Sequence, residues 1–168
     1  MSFDPATLVV PGVRSLQPYQ PGKSIDELER ELGISGIVKL ASNENPRAPS
    51  ASVGRAVTQM LPELSRYPDG GGFYLKQALA DQLAVAPGQI TLGNGSNDVL
   101  ELITRAFVRP GQGVIVSQHS FAVYTLAAKS VGANLRVVPA IHWGHDLDGM
   151  AEVIDSETRI IFIANPNN

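Results

Sequence analysis

The sequence predicts an α/β fold, a mainly parallel sheet flanked by helices. Three observations predict it. From residue 90 onward, strand-like apolar runs alternate with helical patterns. A glycine turn precedes the helix that starts near Ser96, and Gly132 ends the helix over Phe121–Val131. Ile160-Ile161-Phe162-Ile163 is a continuous apolar run, which suits a strand covered on both faces.

Pro5, Pro11, Pro18 and Pro21 break any regular element over residues 1–23, leaving an irregular arm that carries Tyr19. Ser24-Ile25-Asp26-Glu27 is a capping box, so a helix starts there and Gly33 stops it. Ile37–Leu40 reads as a short strand, followed by a polar loop that Pro46 keeps extended. A helix over Ser50–Leu64 places Val53, Val57, Met60 and Leu61 on one face. Arg66 to Gly72 is a turn of Pro, Asp and Gly, and Phe73–Ala84 is a helix with Leu75, Leu79 and Leu83 in line.

The regular part then begins. Strands are expected at Ile90–Leu92, Val114–Ser117, Leu135–Val138 and Arg159–Ala164. Helices are expected at Ser96–Phe107, Phe121–Val131 and Asp148–Ile154. The division is an arm-and-helices part, 1–88, and a β/α part, 89–168. A loop opens at Asn165 directly after a buried-type strand and the chain stops, which would leave a sheet edge uncovered. We therefore expect a truncated chain.

Composition narrows the function. With 168 residues, 43% hydrophobic and 17% charged, the chain is of soluble globular type. A net charge of -3 gives no reason to expect a nucleic-acid partner. There is no cysteine, which excludes disulfides, thiol nucleophiles and Cys-rich zinc sites. No apolar run reaches the ~20 residues of a membrane helix, and the start lacks a signal-peptide pattern. The expected location is the cytoplasm.

The chemistry is concentrated in Thr91-Leu-Gly-Asn-Gly-Ser-Asn-Asp-Val-Leu100. A strand enters a glycine turn and a helix starts near Ser96. Unpaired amides at a helix start can hold a phosphate. Gly93 and Gly95 remove side chains that would block its approach, and Ser96 and Asn97 add donors. The bland reading is a tight turn with Ser96 as N-cap. Asp98 stands where a dinucleotide fingerprint needs glycine, and no P-loop Gly-Lys-Ser/Thr follows. His142 and His145 have no third metal ligand nearby; His119 reads as a surface loop, and Asp69 and Asp98 as turn and helix-start residues.

Five motifs occur in order: Lys39-Leu-Ala-Ser-Asn-Glu-Asn-Pro46, Arg66-Tyr-Pro-Asp-Gly70, Leu92-Gly-Asn-Gly-Ser-Asn-Asp-Val-Leu-Glu-Leu102, Arg105-Ala-Phe107 with Pro110-Gly111, and Ala164-Asn-Pro-Asn-Asn168. In this order the chain resembles the histidinol-phosphate aminotransferase family from Arg14 to Asn168. That family is a branch of the aspartate aminotransferase-like, fold type I enzymes, whose cofactor is pyridoxal 5'-phosphate. The resemblance implies that 89–168 is the first part of the cofactor-binding large domain.

It also implies residue roles. Gly95, Ser96 and Asn97 would hold the cofactor phosphate. Phe121 would stack on its pyridine ring, where the family often has tyrosine. Asn168 would bond its phenolic oxygen, and Tyr67 would reach the phosphate of a neighbouring subunit. Tyr19, Asn43 and Asn45 would line the substrate pocket. Each has a plainer alternative: Phe121 as core, Tyr67 as a turn aromatic, Asn168 as a loop polar group, Tyr19 as an exposed arm residue.

The implied reaction converts histidinol phosphate and 2-oxoglutarate to imidazole-acetol phosphate and glutamate, in a homodimer. The alternatives are an aromatic amino-acid aminotransferase, a threonine-phosphate decarboxylase, or a non-catalytic remnant. In the family the Schiff-base lysine, the acid at the pyridine nitrogen and the substrate-binding arginine all lie beyond the position of Asn168. Lys23, Lys39, Lys76 and Lys129 are the lysines present, and none sits in the family's Ser-Lys setting. The sequence therefore assigns no catalytic residue to this chain.

Overall fold

The computed structural model describes residues 8–17, 22–40 and 42–167. They divide into two units, residues 8–17 with 91–167 and residues 22–40 with 42–90.

The arm is not wholly irregular. Pro11–Arg14 forms α1, with Pro11 in the first turn, where its missing N–H has no intrahelical acceptor anyway.

In the unit ending at residue 90, local signals shape each element. α2 (Ile25–Leu32) starts where Ser24 Oγ accepts from the Glu27 amide at 3.2 Å and ends at Gly33 with φ 65. α3 (Ala51–Met60) is capped by Ser50 and runs on as a 3-10 turn, Leu61–Glu63. α4 (Phe73–Leu83) follows a turn in which Asp69 accepts from the Gly71 amide at 2.9 Å and the Phe73 amide at 2.7 Å. These two N–H groups, Phe73 foremost, hold the Asp69 carboxyl below its usual range.

The expected strands at Ile37–Leu40 and Ile90–Leu92 do not form. The sequence pattern gives an extended backbone, but a strand also needs a hydrogen-bonded neighbour, and the described residues offer neither segment one. Ala80 is the only buried hydrophobic residue described in this unit.

The other unit continues with α5 (Gly95–Phe107), β1 (Gly113–Ser117), α6 (Ala122–Ser130), β2 (Asn134–Val138), α7 (Leu147–Glu152) and β3 (Thr158–Phe162). The strands are parallel, in the order β2-β1-β3. Every residue of the central β1 is buried. Its side chains alternate between two layers. Val114 and Val116 pack with Val108, Ala128 and Phe162, alongside Leu100 of α5 and Tyr124 of α6. Ile115 points the other way, onto Val138 and Met150 of α7. Burying a side chain such as Ile115 contributes about 1.5–3 kcal/mol.

The strand covered on both faces is thus β1. The apolar run of β3 lies at a sheet edge, where Ile161 is 37% exposed. Arg136 on β2 hydrogen-bonds the Val153 carbonyl and the Asp155 carboxylate, tying the α7–β3 connection to the sheet. The Arg136 hydrogen bond holds Asp155 down to about 2.

Candidate functional site

The strand order locates a crevice. The chain leaves β1 for β2 on one side, then crosses back to β3 on the other. The carboxyl ends of β1 and β3 therefore flank a topological switch point, where open α/β sheets bind their ligands. Two segments border it: Gln118–Phe121 leaving β1, and Ile163–Asn167 leaving β3.

Phe121 is the N-cap residue of α6 and is half-buried. Its ring meets Tyr124 edge-on at 5.9 Å, and Tyr124 stacks on Phe162 at 4.6 Å with an interplanar angle of 1°. An aromatic file thus runs from the exit of β1 to the end of β3. Leu100, one turn into α5, packs on the same cluster.

At the head of α5, Asn94 is the N-cap residue but makes no side-chain cap bond. α2, α3 and α7 have theirs, from Ser24, Ser50 and Asp146. The Asp98 carboxylate turns back to accept from the Asn94 amide at 3.1 Å, and the Gly95 amide donates to the Gly93 carbonyl at 2.9 Å. The amides of Ser96 and Asn97 have no acceptor among the described residues, and both residues are exposed. Two open amides at the positive end of a 13-residue helix are suited to an anion.

The glycines act differently from the sequence expectation. Gly95 has φ +78 with open space where a Cβ would stand, so backbone conformation is what requires glycine there. At Gly93 a Cβ would meet Val99 Cγ2 at 2.9 Å and Asp98 Oδ2 at 3.0 Å. That glycine lets the turn close on its own helix rather than admitting a ligand.

Asn97 also lines a cavity of about 520 Å³ together with Val13, Leu16, Val123 and Ala127. It is mainly apolar and lies between the α1 segment, α5 and α6.

The remaining sequence-derived residues are placed as follows. Tyr67 is fully exposed, at 102%. Asn43 and Asn45 are exposed, and the Asn45 side-chain oxygen accepts from the Arg47 amide at 3.0 Å. All three belong to the unit ending at residue 90. Tyr19 and Asn168 lie outside the described residues. Lys23 pairs with Glu31, and Lys39 with Glu44 at 3.0 Å. No group of three or more metal-binding side chains occurs among the described residues.

The sequence reading missed Gln118. Its amide donates to the Val138 carbonyl at 2.7 Å and its side-chain oxygen accepts from the Ala140 amide at 3.1 Å, lacing the exits of β1 and β2 together. A polar side chain immediately after a buried strand was the available signal.

Comparison with known proteins identifies the family of this fold. The family model described as aminotransferase class I and II matches residues 35–168. Histidinol-phosphate aminotransferase 2 of Pseudomonas fluorescens (strain Pf0-1) is 55% identical over 170 residues, covering 100% of this chain and 46% of that protein. Histidinol-phosphate aminotransferase 2 of Pseudomonas aeruginosa is 55% identical over 96% of this chain and 44% of its own length. The chain thus spans under half the length of these curated relatives.

Among solved structures, histidinol-phosphate aminotransferase from Sinorhizobium meliloti, in complex with pyridoxal-5'-phosphate, superposes with a TM-score of 0.84. It is 28% identical, over 99% of this chain and 44% of that one. Aspartate aminotransferase from Thermotoga maritima shares the fold, with a TM-score of 0.73 at 21% identity over 84% of this chain and 40% of its own. The chain belongs to the aminotransferase class I and II family and carries part of its fold.

Proposed function

We propose that the chain is the amino-terminal portion of a histidinol-phosphate aminotransferase and forms part of its pyridoxal 5'-phosphate site. The observation that carries this is the open head of α5, a helix whose Leu100 packs on the cluster holding Tyr124 and Phe162, in a chain 55% identical along its whole length to histidinol-phosphate aminotransferases. Residues 89–168 would be the first part of the cofactor-binding large domain, and 1–88 the arm and helices.

The residues present fit the cofactor's phosphate. The Ser96 and Asn97 amides would hold it, with Gly95 setting the turn. Phe121 would support the pyridine ring and Asn168 would accept or donate at the phenolic oxygen. Tyr67 would serve the neighbouring subunit of a homodimer, and Tyr19, Asn43 and Asn45 the substrate. The cofactor, when bound, supplies an electron-withdrawing ring that takes up the electron pair released as the substrate's Cα–H bond breaks. The open amides bind and orient the anionic end, which fixes the ring by proximity rather than by proton transfer. Amino transfer between histidinol phosphate and 2-oxoglutarate, in the cytoplasm, would belong to the longer protein. The lysines of this chain stand paired on the surface or within helices, so it would not transaminate alone.

Adding inorganic phosphate or pyridoxal 5'-phosphate to the 15N-labelled chain tests the reading. We expect saturable amide shifts centred on Gly95, Ser96 and Asn97, and no turnover of histidinol phosphate. Shifts confined to other segments would remove the proposed cradle, and turnover by the chain would refute the assignment of the missing base.

A further inference from the structure

All three histidines stand on segments leaving the carboxyl ends of the strands: His119 after β1, His142 and His145 after β2. His119 and the exposed Trp143 face each other at 4.9 Å. His142 and Trp143, with φ 50 and 65, form the corner of a turn closed by Ile141 and Gly144. His145 alone is drawn into the fold. Its Nε2 lies 2.7 Å from the carbonyl oxygen of Ala164, 19 residues away on the segment leaving β3.

A carbonyl only accepts, so His145 carries a proton on Nε2 and donates it. Its other nitrogen, Nδ1, is buried without a partner among the described residues. The position of His145 is fixed from below. Asp146 caps α7, accepting from Gly149 at 2.9 Å through its side chain and from Met150 at 2.9 Å through its carbonyl. Met150 is 2% exposed, beneath Ile115 and Val138. There is no room to reshape this cap, since a Cβ on Gly149 would stand 2.5 Å from Asp146 Oδ2.

The strand exits are therefore laced in series. Gln118 joins the exit of β1 to that of β2, and His145 joins the exit of β2 to that of β3. The second link reaches the segment whose Asn167 side-chain oxygen is buried without a donor among the described residues.

We propose that His145 is a positioning residue of the cofactor site. Through the Ala164 carbonyl it sets where Asn165–Asn167, the segment bordering the crevice, leaves the sheet. This rests on the reading given under Proposed function. The imidazole itself touches no reacting atom; it holds the loop against α7 and the core.

Three variants separate positioning from mere bulk. His145→Gln keeps an N–H at the place of Nε2, His145→Asn reaches only as far as Nδ1, and His145→Ala keeps neither. Side-chain 15N spectra of wild type should show Nε2 protonated. Amide exchange at Ile163, Ala164 and Asn167 should quicken about tenfold in His145→Asn and His145→Ala, as expected for one lost hydrogen bond. It should return to within about threefold in His145→Gln. Affinity for pyridoxal 5'-phosphate should fall about tenfold in His145→Asn while affinity for inorganic phosphate, held at α5, stays unchanged.

A proton on Nδ1 alone, or equal behaviour of the Gln and Asn variants, overturns the proposal. Unchanged cofactor affinity in His145→Asn also overturns it and leaves the reading of the site intact. Absence of saturable cofactor binding by wild type overturns that reading, and the positioning role with it.

Discussion

Residues 22–90 and 91–167 carry similar apolar patterns and put them to different ends. In α3, Val53, Val57, Met60 and Leu61 form the stripe that a core-facing helix should have, yet they are 51%, 60%, 59% and 54% exposed. In β1, Val114 and Ile115 are both 0% exposed. Composition does not separate the two; supply of partners does. β1 is flanked by a strand on each edge and by helices on both faces, so every apolar side chain meets another. The helices of the first region satisfy their backbones locally, through caps, while their apolar faces find no cover among the described residues. Secondary structure can thus form from short-range signals where the hydrophobic effect contributes little.

The sharpest way to break this contrast is to truncate one residue in each region. Ile115→Ala should cost about 2–5 kcal/mol in chemical denaturation. Val57→Ala should stay within about 0.5 kcal/mol. Equal losses would mean that Val57 is buried in solution and that the two regions do not differ as described.

A smaller effect probes the α1 segment. A Cβ on Gly12 would lie 2.1 Å from the Lys129 carbonyl oxygen, so α1 can pack on α6 only with glycine there. Gly12→Ala should cost about 1–3 kcal/mol, or release the segment. Limited proteolysis near residue 17 should then accelerate, while cleavage within 113–162 stays unchanged.

The mildest comparison is electrostatic. Asp155 is held down to about 2 by Arg136, and Asp69 is lowered by the Phe73 and Gly71 amides. Both carboxyls bind protons more weakly when folded, so each favours the folded state above the ordinary carboxylate range near 3.8. The contribution of Asp155 is lost as pH falls from about 4 through about 2. Both groups are on the surface and salt weakens them. Thermal scans at successive pH values should show Asp155→Asn flattening this acid limb. An unaltered limb would show that the Arg136 link does not contribute.

The candidate site was readable in part for a definable reason. The phosphate-cup reading of Gly95, Ser96 and Asn97 depends on neighbours in sequence, since a helix start is a local event. The placement of Phe121 at the exit of β1 follows from knowing where a strand ends. His145 was weighed only as one of two histidines short of a metal site, because its partner lies 19 residues away and nothing local marks Ala164 as an acceptor. Gly93 was misread for a similar reason: its constraint is the nearness of Asp98 and Val99 in space.

What the amino-acid sequence determined alone was therefore the short-range layer: helix starts at Ser24 and Ser50, the stop at Gly33, and the alternation that demands an α/β arrangement. Only the tertiary structure decided which extended segments became strands. Ile37–Leu40 and Ile90–Leu92 have the right residues and no neighbour among the described residues, while β1 has two. A cap spends its hydrogen bonds within a few residues, whereas a strand's hydrogen bonds and an edge's burial depend on chain brought in from elsewhere.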